Sequence, residues 1–264
     1  MVGLIYRAEE FSPNGNVPRD AAILEAVGQR LRDVGQEVRF FSEAEFPSVA
    51  ELQTFDACLS MARRQSSLLA LQKAQLRGLR VLNRPNAVQI TVQSRSSTLE
   101  MLQAADIPEV PFWSYEPSAD EMFQCEPELQ TLLPGWVKAM HPRGVTAGDV
   151  SRVATPLEAD CRVLELAAQG YTDIIVTRHL EGPLLKTYVV ADAHWSVGAD
   201  EPSGIAEIAA KVRRTLGLDI FGIDFILTSD GPLIIDVNDF PSFGACRDEA
   251  AEAIAELVLR PSRH

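Results

Sequence analysis

Short apolar runs alternate with amphipathic stretches through the first third of the chain. The runs predict strands at residues 2–6, 37–41, 55–61 and 79–82. Between them, residues 19–34 and 64–77 carry apolar side chains at helical spacing, and a glycine follows each stretch. Alternating strands and helices predict a parallel sheet with right-handed crossovers.

The rest of the chain has its own pattern after a polar interruption at residues 83–86. It predicts helices at residues 94–105, 156–169, 205–216 and 248–259, and strands at 135–139, 173–177 and 185–190. We therefore predict an N-terminal domain at 1–83 and a larger unit at 84–264. The larger unit divides into a central lobe, 84–172, and a C-terminal lobe, 173–264.

Polar side chains interrupt two apolar runs that a Ser-Asp-Gly-Pro turn at 229–232 joins into a predicted hairpin. Asp236 and Asn238 are two residues apart, so they point to the same face of a strand. Asp224 falls close to opposite Asp236. Oxygen donors of this kind suit Mg²⁺, which uses one or two carboxylates together with phosphate oxygens. The alternative is that Asp236 and Asn238 only end the strand before the turn at 239–241.

Composition narrows the classes of partner. The chain has 264 residues, with 24 basic and 37 acidic side chains and a net charge of −13, which argues against nucleic acid or an anionic membrane. Its four cysteines are scattered, so we expect no disulfide framework, no zinc site and a cytoplasmic location. Cys246 has no readable base beside it and is interpreted as structural. The sequence does not determine the oligomeric state and is compatible with a homo-oligomer.

The hairpin carries a family resemblance. Asp224, followed twelve residues later by Asp-Val-Asn and then Phe-Pro-Ser-Phe, resembles the metal-binding hairpin of the ATP-grasp superfamily, in its RimK-like ligase and inositol trisphosphate kinase branches. Most ATP-grasp ligases have Glu where this chain has Asp236. The resemblance implies an α/β ATP-grasp fold: a small N-terminal parallel α/β domain, plus two α+β lobes that sandwich ATP.

Phosphate contacts are implied by resemblance in the central lobe. Arg95 stands where the family has a phosphate-contacting lysine, although a solvated arginine in a first helical turn is the alternative. Lys138 in GWVKA resembles the family's central lysine. The following loop resembles the one that closes over phosphates. It contains His141, for which a surface role is the alternative, and Arg143, which we predict to be catalytic.

Further site residues are implied in the C-terminal lobe. The strand at 173–177 leads into Arg178, His179 and Leu180, whose backbone would receive adenine, and Glu181 would hold ribose. Lys186 lies in a strand, LKTYVV, that resembles the YKVFVVG strand of inositol phosphate kinases. We predict that Lys186 binds nucleotide and takes part in catalysis.

Function remains divided between two enzyme classes. The Asp-Val-Asn motif and the Lys186 strand favour a kinase. The acidic balance, with no Arg or Lys from 187 to 210, favours a carboxylate–amine ligase that uses ATP, Mg²⁺ or Mn²⁺ and a small-molecule acceptor. A third class, a protein that binds nucleotide without catalysis, is disfavoured by the complete set of Asp224, Asp236 and Asn238.

Overall fold

The computed structural model describes residues 1–12, 17–115, 127–140, 144 and 146–261. His141 and Arg143 lie outside the described residues. The N-terminal sheet has the order β2-β1-β3-β4, and every pair in it is parallel. Its strands are β1 (Val2–Ile5), β2 (Val38–Phe41), β3 (Ala57–Ser60) and β4 (Arg80–Leu82). The helices between them are α1 (Val17–Asp33), α2 (Val49–Leu52) and α3 (Gln65–Gln75). The sequence predicted α1 and α3, whereas α2, which has four residues, was not predicted.

Two helices follow where the sequence predicted one. Helix α4 (Pro85–Gln93) begins inside the stretch that we interpreted as a break, and α5 (Arg95–Ala104) follows after Ser94. The prediction of a break was wrong because proline at the first helical position needs no intrahelical N–H partner and favours helix initiation. A new helix at Ser94 is explained by its side chain, which accepts a hydrogen bond from the Ser97 N–H at 3.0 Å.

The central lobe contains an antiparallel sheet of order β5-β8-β6-β7. Its strands are β5 (Phe112–Tyr115), β6 (Gly135–Met140), β7 (Val150–Val153) and β8 (Asp173–Arg178). The short helix α6 (Pro127–Gln130) precedes β6, and α7 (Pro156–Ala168) covers one face. The sequence analysis missed β5 and β7, which have four residues each.

The C-terminal lobe has a second antiparallel sheet, of order β10-β9-β11-β12. Its strands are β9 (Leu184–Val190), β10 (Ala193–Gly198), β11 (Ile220–Thr228) and β12 (Gly231–Asn238). Helix α8 (Ile205–Leu216) was predicted with the same bounds, whereas β10 was missed. The side chains of β10 are partly buried at four positions and exposed at two, so this strand shows no clear alternation of buried and exposed positions.

The last helix, α9 (Arg247–Leu259), returns to the N-terminal sheet and packs against α1. One hydrophobic cluster runs from Leu4 and Val27 through Phe240 and Phe243 to Ile254. The N-terminal sheet and the C-terminal lobe therefore share buried side chains. Within the described residues, no helix is long and apolar enough to cross a membrane.

Candidate functional site

The hairpin of β11 and β12 brings the predicted metal ligands together. Asp224 is directly opposite Asp236 in the strand register, and a bulge follows between Asp224 and Phe225. Asn238 is the last residue of β12, two positions along the same face. The geometry that the sequence predicted for these three side chains is present in the structure.

Each of the three side chains is bonded to a cationic side chain. Lys186 Nζ is 3.1 Å from Asp224 Oδ2, and Arg95 Nη1 is 2.8 Å from Asp236 Oδ1. The third contact joins Arg63 Nη2 to Asn238 Oδ1 at 3.1 Å. These cations come from three parts of the chain: Arg63 follows β3, Arg95 begins α5, and Lys186 lies in β9.

Burial and charge shift the pKa values of the pair at β9 and β11. Burial raises the pKa of the Asp224 carboxyl, and repulsion from Asp236 acts in the same direction against the attraction of Lys186. For Lys186, burial lowers the pKa, but the nearby charges, Asp224 foremost, outweigh it and the pKa is raised. Lys186 therefore stays protonated, and the two partly exposed carboxylates favour a cation beside them.

Arg95 is fixed by the N-terminus of its own helix. The Asp173 carboxylate accepts hydrogen bonds from the Arg95 N–H at 2.6 Å and from the Ser96 hydroxyl at 2.5 Å. An anion at a helix N-terminus satisfies orphan N–H groups and is stabilised by the helix dipole. The Arg95 side chain is 19% exposed and paired with Asp236, so the alternative of a freely solvated arginine is wrong.

Lys138 points from β6 towards the hairpin. Its Nζ donates to the backbone carbonyl of Ile235 at 2.9 Å. Burial lowers the pKa of the Lys138 ammonium, against the opposing attraction of Asp236. A buried ammonium with a single neutral acceptor is suited to receive an anion, because an anion would supply the charge partner that burial makes favourable.

A cavity of about 330 Å³, here called the larger cavity, lies between the central and C-terminal sheets. Trp136, Lys138, Arg95, Asp224 and Asp236 contribute to its lining. The end of β8 and the residues that follow it also line this cavity, through Arg178, His179 and Leu180. The sequence predicted that these three residues face one ligand, and they do line one cavity.

The segment after β8 offers fewer backbone donors than the sequence implied. The N–H groups of Arg178 and His179 are bonded to the carbonyls of Pro111 and Pro134, both at 3.0 Å. His179 also accepts from the Trp136 indole N–H at 3.1 Å. A purine base would therefore find its backbone donor at Leu180. Glu181 is exposed and lies outside the lining of the larger cavity.

A smaller cavity of about 140 Å³ adjoins the larger one and shares Arg95, Lys138, Ile235 and Asp236 with it. This smaller cavity continues past Asn238 and Asp239 to Arg63 in the N-terminal domain. The two cavities together run from the segment after β8, past the hairpin carboxylates, to the carboxyl end of β3. That end of a parallel sheet is where open α/β folds bind ligands.

The sequence analysis missed the N-terminal arginines at this end of the sheet. Arg63 forms an ion pair with the buried Asp239, and Arg64 Nε is 2.7 Å from Glu10 Oε1. Arg7 is buried, bonded to Asp20 at 2.9 Å and to the Phe240 carbonyl at 2.6 Å. An Arg-Arg pair directly after a buried strand was the signal in the sequence.

Glu43 ties the loops that carry these arginines. Its buried carboxylate accepts hydrogen bonds from the backbone N–H groups of Ala8, Arg63 and Arg64, at 3.0, 3.0 and 2.6 Å. Ala8 follows β1 and the arginines follow β3, so one carboxylate fixes two neighbouring strand ends. This carboxylate fixes the backbone of Arg63, from which the Arg63 side chain extends to the hairpin.

Cys246 and Arg247 lie at the start of α9. Burial, with a smaller effect of Glu249, raises the pKa of the Cys246 thiol to about 11. A thiol of that pKa is protonated at neutral pH and is a poor nucleophile, which agrees with the structural interpretation of Cys246. Arg247 does not line either cavity.

The hairpin donors fit a hard divalent cation. Among the residues described, no group of three or more His, Cys, Asp and Glu side chains is placed to hold a metal. The hairpin instead offers two carboxylates and the Asn238 carboxamide. All three donors are oxygens, and each is already bonded to a cationic group. This donor set suits Mg²⁺ or Mn²⁺ better than softer metals.

Comparison with known proteins identifies the fold. A family model described as the inositol 1,3,4-trisphosphate 5/6-kinase ATP-grasp domain matches residues 184–254. D-Alanine–D-alanine ligase from Bacillus anthracis, solved with ATP, superposes with a TM-score of 0.75 at 12% identity, over 97% of this chain and 95% of that one.

Two further solved structures are similar over nearly the whole chain. A RimK domain ATP-grasp protein from Sphaerobacter thermophilus has a TM-score of 0.70 at 17% identity, covering 98% of this chain and 99% of that one. D-Cycloserine synthetase DcsG has a TM-score of 0.67 at 18% identity, covering 97% and 99%. These matches confirm the predicted fold and the resemblance stated from the hairpin.

Proposed function

We propose that this chain, which has the ATP-grasp fold, is an ATP- and Mg²⁺-dependent ligase that joins a carboxylate to an amine. ATP would occupy the larger cavity, with its base beside Leu180 and its phosphates towards Lys138, Arg95 and Lys186. Asp224, Asp236 and Asn238 would hold Mg²⁺. When bound, the metal neutralises charge on the phosphate oxygens during transfer.

The chemistry follows from what the side chains can do. The acceptor carboxylate would attack the γ-phosphorus of ATP, release ADP and become an acyl phosphate. An amine would then attack the acyl carbon and release inorganic phosphate. Lys138, Arg95 and Lys186 are placed to orient the phosphates. The catalytic role proposed for Arg143 rests on the sequence resemblance alone.

The local charge balance carries the choice of ligase over kinase. Within the described residues, the arginines at the N-terminal end of the cavities each have a carboxylate partner: Arg7 with Asp20, Arg63 with Asp239 and Arg64 with Glu10. Arg95 and Lys186 are likewise paired. A polyphosphorylated acceptor would bring several more negative charges to a region where these cations are already paired and Lys138 is assigned to the phosphates of ATP. An acceptor with one or two charges fits better.

A small-molecule kinase is the second candidate. Its support is the family model, which is a kinase-type ATP-grasp domain and covers the hairpin and the Lys186 strand. In that reaction, a hydroxyl of the acceptor would attack the γ-phosphorus of ATP, and the transferred phosphate would stay on the acceptor. The ligase neighbours are similar in fold, so they do not decide between the two reactions.

One experiment separates the two reactions. The protein is incubated with [γ-³²P]ATP and Mg²⁺, with pools of amino acids and small carboxylates in one arm and of polyols and inositol phosphates in the other. Hydroxylamine is added to trap acyl phosphate. The ligase proposal expects inorganic [³²P]phosphate and a hydroxamate in the carboxylate arm. A stable phosphate ester in the polyol arm would instead identify a kinase.

A further inference from the structure

Among the described residues, Arg63 is the cation bonded to the hairpin donors for which the sequence supplied no role. Arg95 lines the larger cavity, and Lys186 pairs with Asp224, which also lines it. Phosphate oxygens are the expected partners of both cations. Arg63 comes from the N-terminal domain and lines only the smaller cavity. Its side chain is 11% exposed; its contact with Asp239 is partly buried, whereas its contact with Asn238 is exposed to solvent.

Arg63 uses its guanidinium to hold two residues of the hairpin at once. Nη2 donates to Asn238 Oδ1 at 3.1 Å and also pairs with Asp239 Oδ1, while Nε is 3.4 Å from Asp239 Oδ2. Asp239 is buried, and its backbone carbonyl accepts from Asn83 Nδ2 at 2.5 Å. Asp239 is therefore a fixed anchor, whereas Asn238 is exposed and its contact with Arg63 can be exchanged.

A metal on Asn238 would compete with Arg63. Oδ1 is the only side-chain oxygen of asparagine, and Mg²⁺ binds oxygen at about 2.1 Å. With Nη2 at 3.1 Å from the same atom, guanidinium and metal would be no more than about 5 Å apart. Two cations at that separation repel each other.

We infer that Arg63 is a positioning residue that controls the access of metal to Asn238. Metal binding breaks the contact between Arg63 and Asn238 but leaves the ion pair with Asp239. The guanidinium then pivots on Asp239 within the smaller cavity. Metal loading in the C-terminal lobe thereby changes a contact made by the N-terminal domain. The inference rests on the metal site of the proposed function and is independent of the acceptor.

The test is Mn²⁺ binding without nucleotide, measured by calorimetry and by loss of the free Mn²⁺ signal in electron paramagnetic resonance. In Arg63→Met we expect Mn²⁺ to bind about tenfold more tightly than in wild type, because a competitor worth about one charge-assisted hydrogen bond is gone. The matched control is Arg64→Met, which loses the same charge one residue away. Arg64 contacts Glu10 and the Glu43 carbonyl instead of the hairpin, so its affinity should change by less than about twofold.

Two further variants separate competition from charge and from folding. Arg63→Met with Asp239→Asn keeps the net charge of wild type and leaves no buried unpaired carboxylate, and it should still bind Mn²⁺ more tightly. In an Asn238→Ala background, Arg63→Met should give no tightening. A merely structural role of Arg63 would not depend on Asn238 in this way.

The outcomes are distinct. Unchanged or weaker Mn²⁺ binding in Arg63→Met and in the charge-neutral double variant overturns the inference, as does equal tightening in Arg64→Met. If wild type binds Mn²⁺ and Asp236→Asn does not, the metal site of the proposed function stands even when this inference fails. If Mn²⁺ binds to none of the variants, both the inference and the proposed metal site are wrong.

Discussion

At the scale of single residues, charge placed in a shielded site decides which side chains are available for chemistry. Asp224 and Asp236 face each other across the hairpin, and burial raises the pKa of Asp224. Lys138 lies close by, with a neutral carbonyl as its hydrogen-bond acceptor. Asp224 and Lys138, whose pKa values burial shifts, cost folding free energy that a buried apolar residue would not. Their cost is understandable if they bind a metal and an anion.

Asp236→Asn tests the metal assignment. The substitution keeps the shape of the side chain and an acceptor for Arg95 but removes one of the two facing charges. We expect Mg²⁺-dependent ATP turnover to fall about 100-fold or more, with little change in melting temperature. ADP release and thermal unfolding measure the two effects. Normal turnover in the folded variant would contradict the assignment.

Lys138→Met tests the phosphate contact. Methionine retains most of the apolar stem and removes the ammonium, whose pKa burial already lowers. ATP affinity should fall about tenfold to 100-fold, the range for one charge-assisted hydrogen bond. The free energy of unfolding should change by less than about 1 kcal/mol. Unchanged ATP affinity together with a destabilised protein would show that Lys138 is only structural.

At the scale of elements, helix ends and hairpin register hold the site residues in place. Asp173, the first residue of β8, caps the N-terminus of α5 and so fixes Arg95. Gly182 lies between β8 and β9 at a φ of +146°, where an added Cβ would be 2.2 Å from the Leu227 carbonyl oxygen. Gly144 similarly has a φ of +150° and lies against the Glu10 backbone. These close approaches bring neighbouring segments against each other around the cavities.

Asp173→Ala tests the link between the helix end and the site. Loss of the carboxylate leaves the Arg95 and Ser96 N–H groups without their acceptor, and should destabilise the protein by about 1–2 kcal/mol. Nucleotide affinity should fall as well, because Arg95 loses its anchor. Urea unfolding and calorimetry measure these quantities.

Glu158→Ala is the matched control for Asp173→Ala. Glu158 accepts from the Ala154 N–H at 2.7 Å in the first turn of α7, and it lines neither cavity. This variant should lose stability but keep its nucleotide affinity. An equal loss of affinity in both variants would mean that destabilisation alone explains the effect of Asp173→Ala.

At the scale of the whole molecule, buried contacts join the N-terminal sheet to the C-terminal lobe. Asn83, just after β4, donates to the carbonyls of Ile220 and Asp239 at 2.6 and 2.5 Å. Its Oδ1 accepts from the N–H groups of Asp219 and Ile220 at 2.9 and 2.8 Å. One buried carboxamide thus replaces four missing backbone bonds between the two parts. The shared core with α9 adds apolar contacts.

Asn83→Ala tests this connection. It leaves up to four backbone groups without partners in a buried site, so the free energy of unfolding should fall by about 3 kcal/mol or more. We expect a single unfolding transition in wild type by calorimetry. Asn86→Ala, at an exposed position three residues later, should change stability by less than about 0.5 kcal/mol. If Asn83→Ala is as stable as wild type, the Asn83 carboxamide does not stabilise the contact between the N-terminal sheet and the C-terminal lobe.

The domain boundaries predicted at 83 and 172 remain predictions. The N-terminal sheet ends before the first boundary and the C-terminal sheet begins after the second, but β8 of the central sheet, Asp173–Arg178, lies beyond residue 172. The N-terminal sheet, however, completes its core with α9, which belongs to the other end of the chain. We propose that residues 1–83 fold together with the C-terminal lobe.

The sequence by itself determined the features that depend on local periodicity and turn chemistry. The exact pairing of Asp224 with Asp236 depends on the bulge between Asp224 and Phe225, which the sequence did not predict. The hairpin itself and the strands that carry Lys138 and Lys186 could be predicted from apolar alternation and turn chemistry. The short strands β5, β7 and β10 could not. Four to six residues with mixed burial give too little periodic signal, and partner strands distant in sequence stabilise them.

Only the tertiary structure decided which cations meet the hairpin. Arg63 is 176 positions from Asp239, and Arg95 is 141 positions from Asp236. No local pattern encodes such pairs, because they depend on how the N-terminal sheet and α5 dock against β12. The sequence therefore predicted the proposed metal donors, while the docking of the three parts of the chain determined which cationic side chains contact those donors.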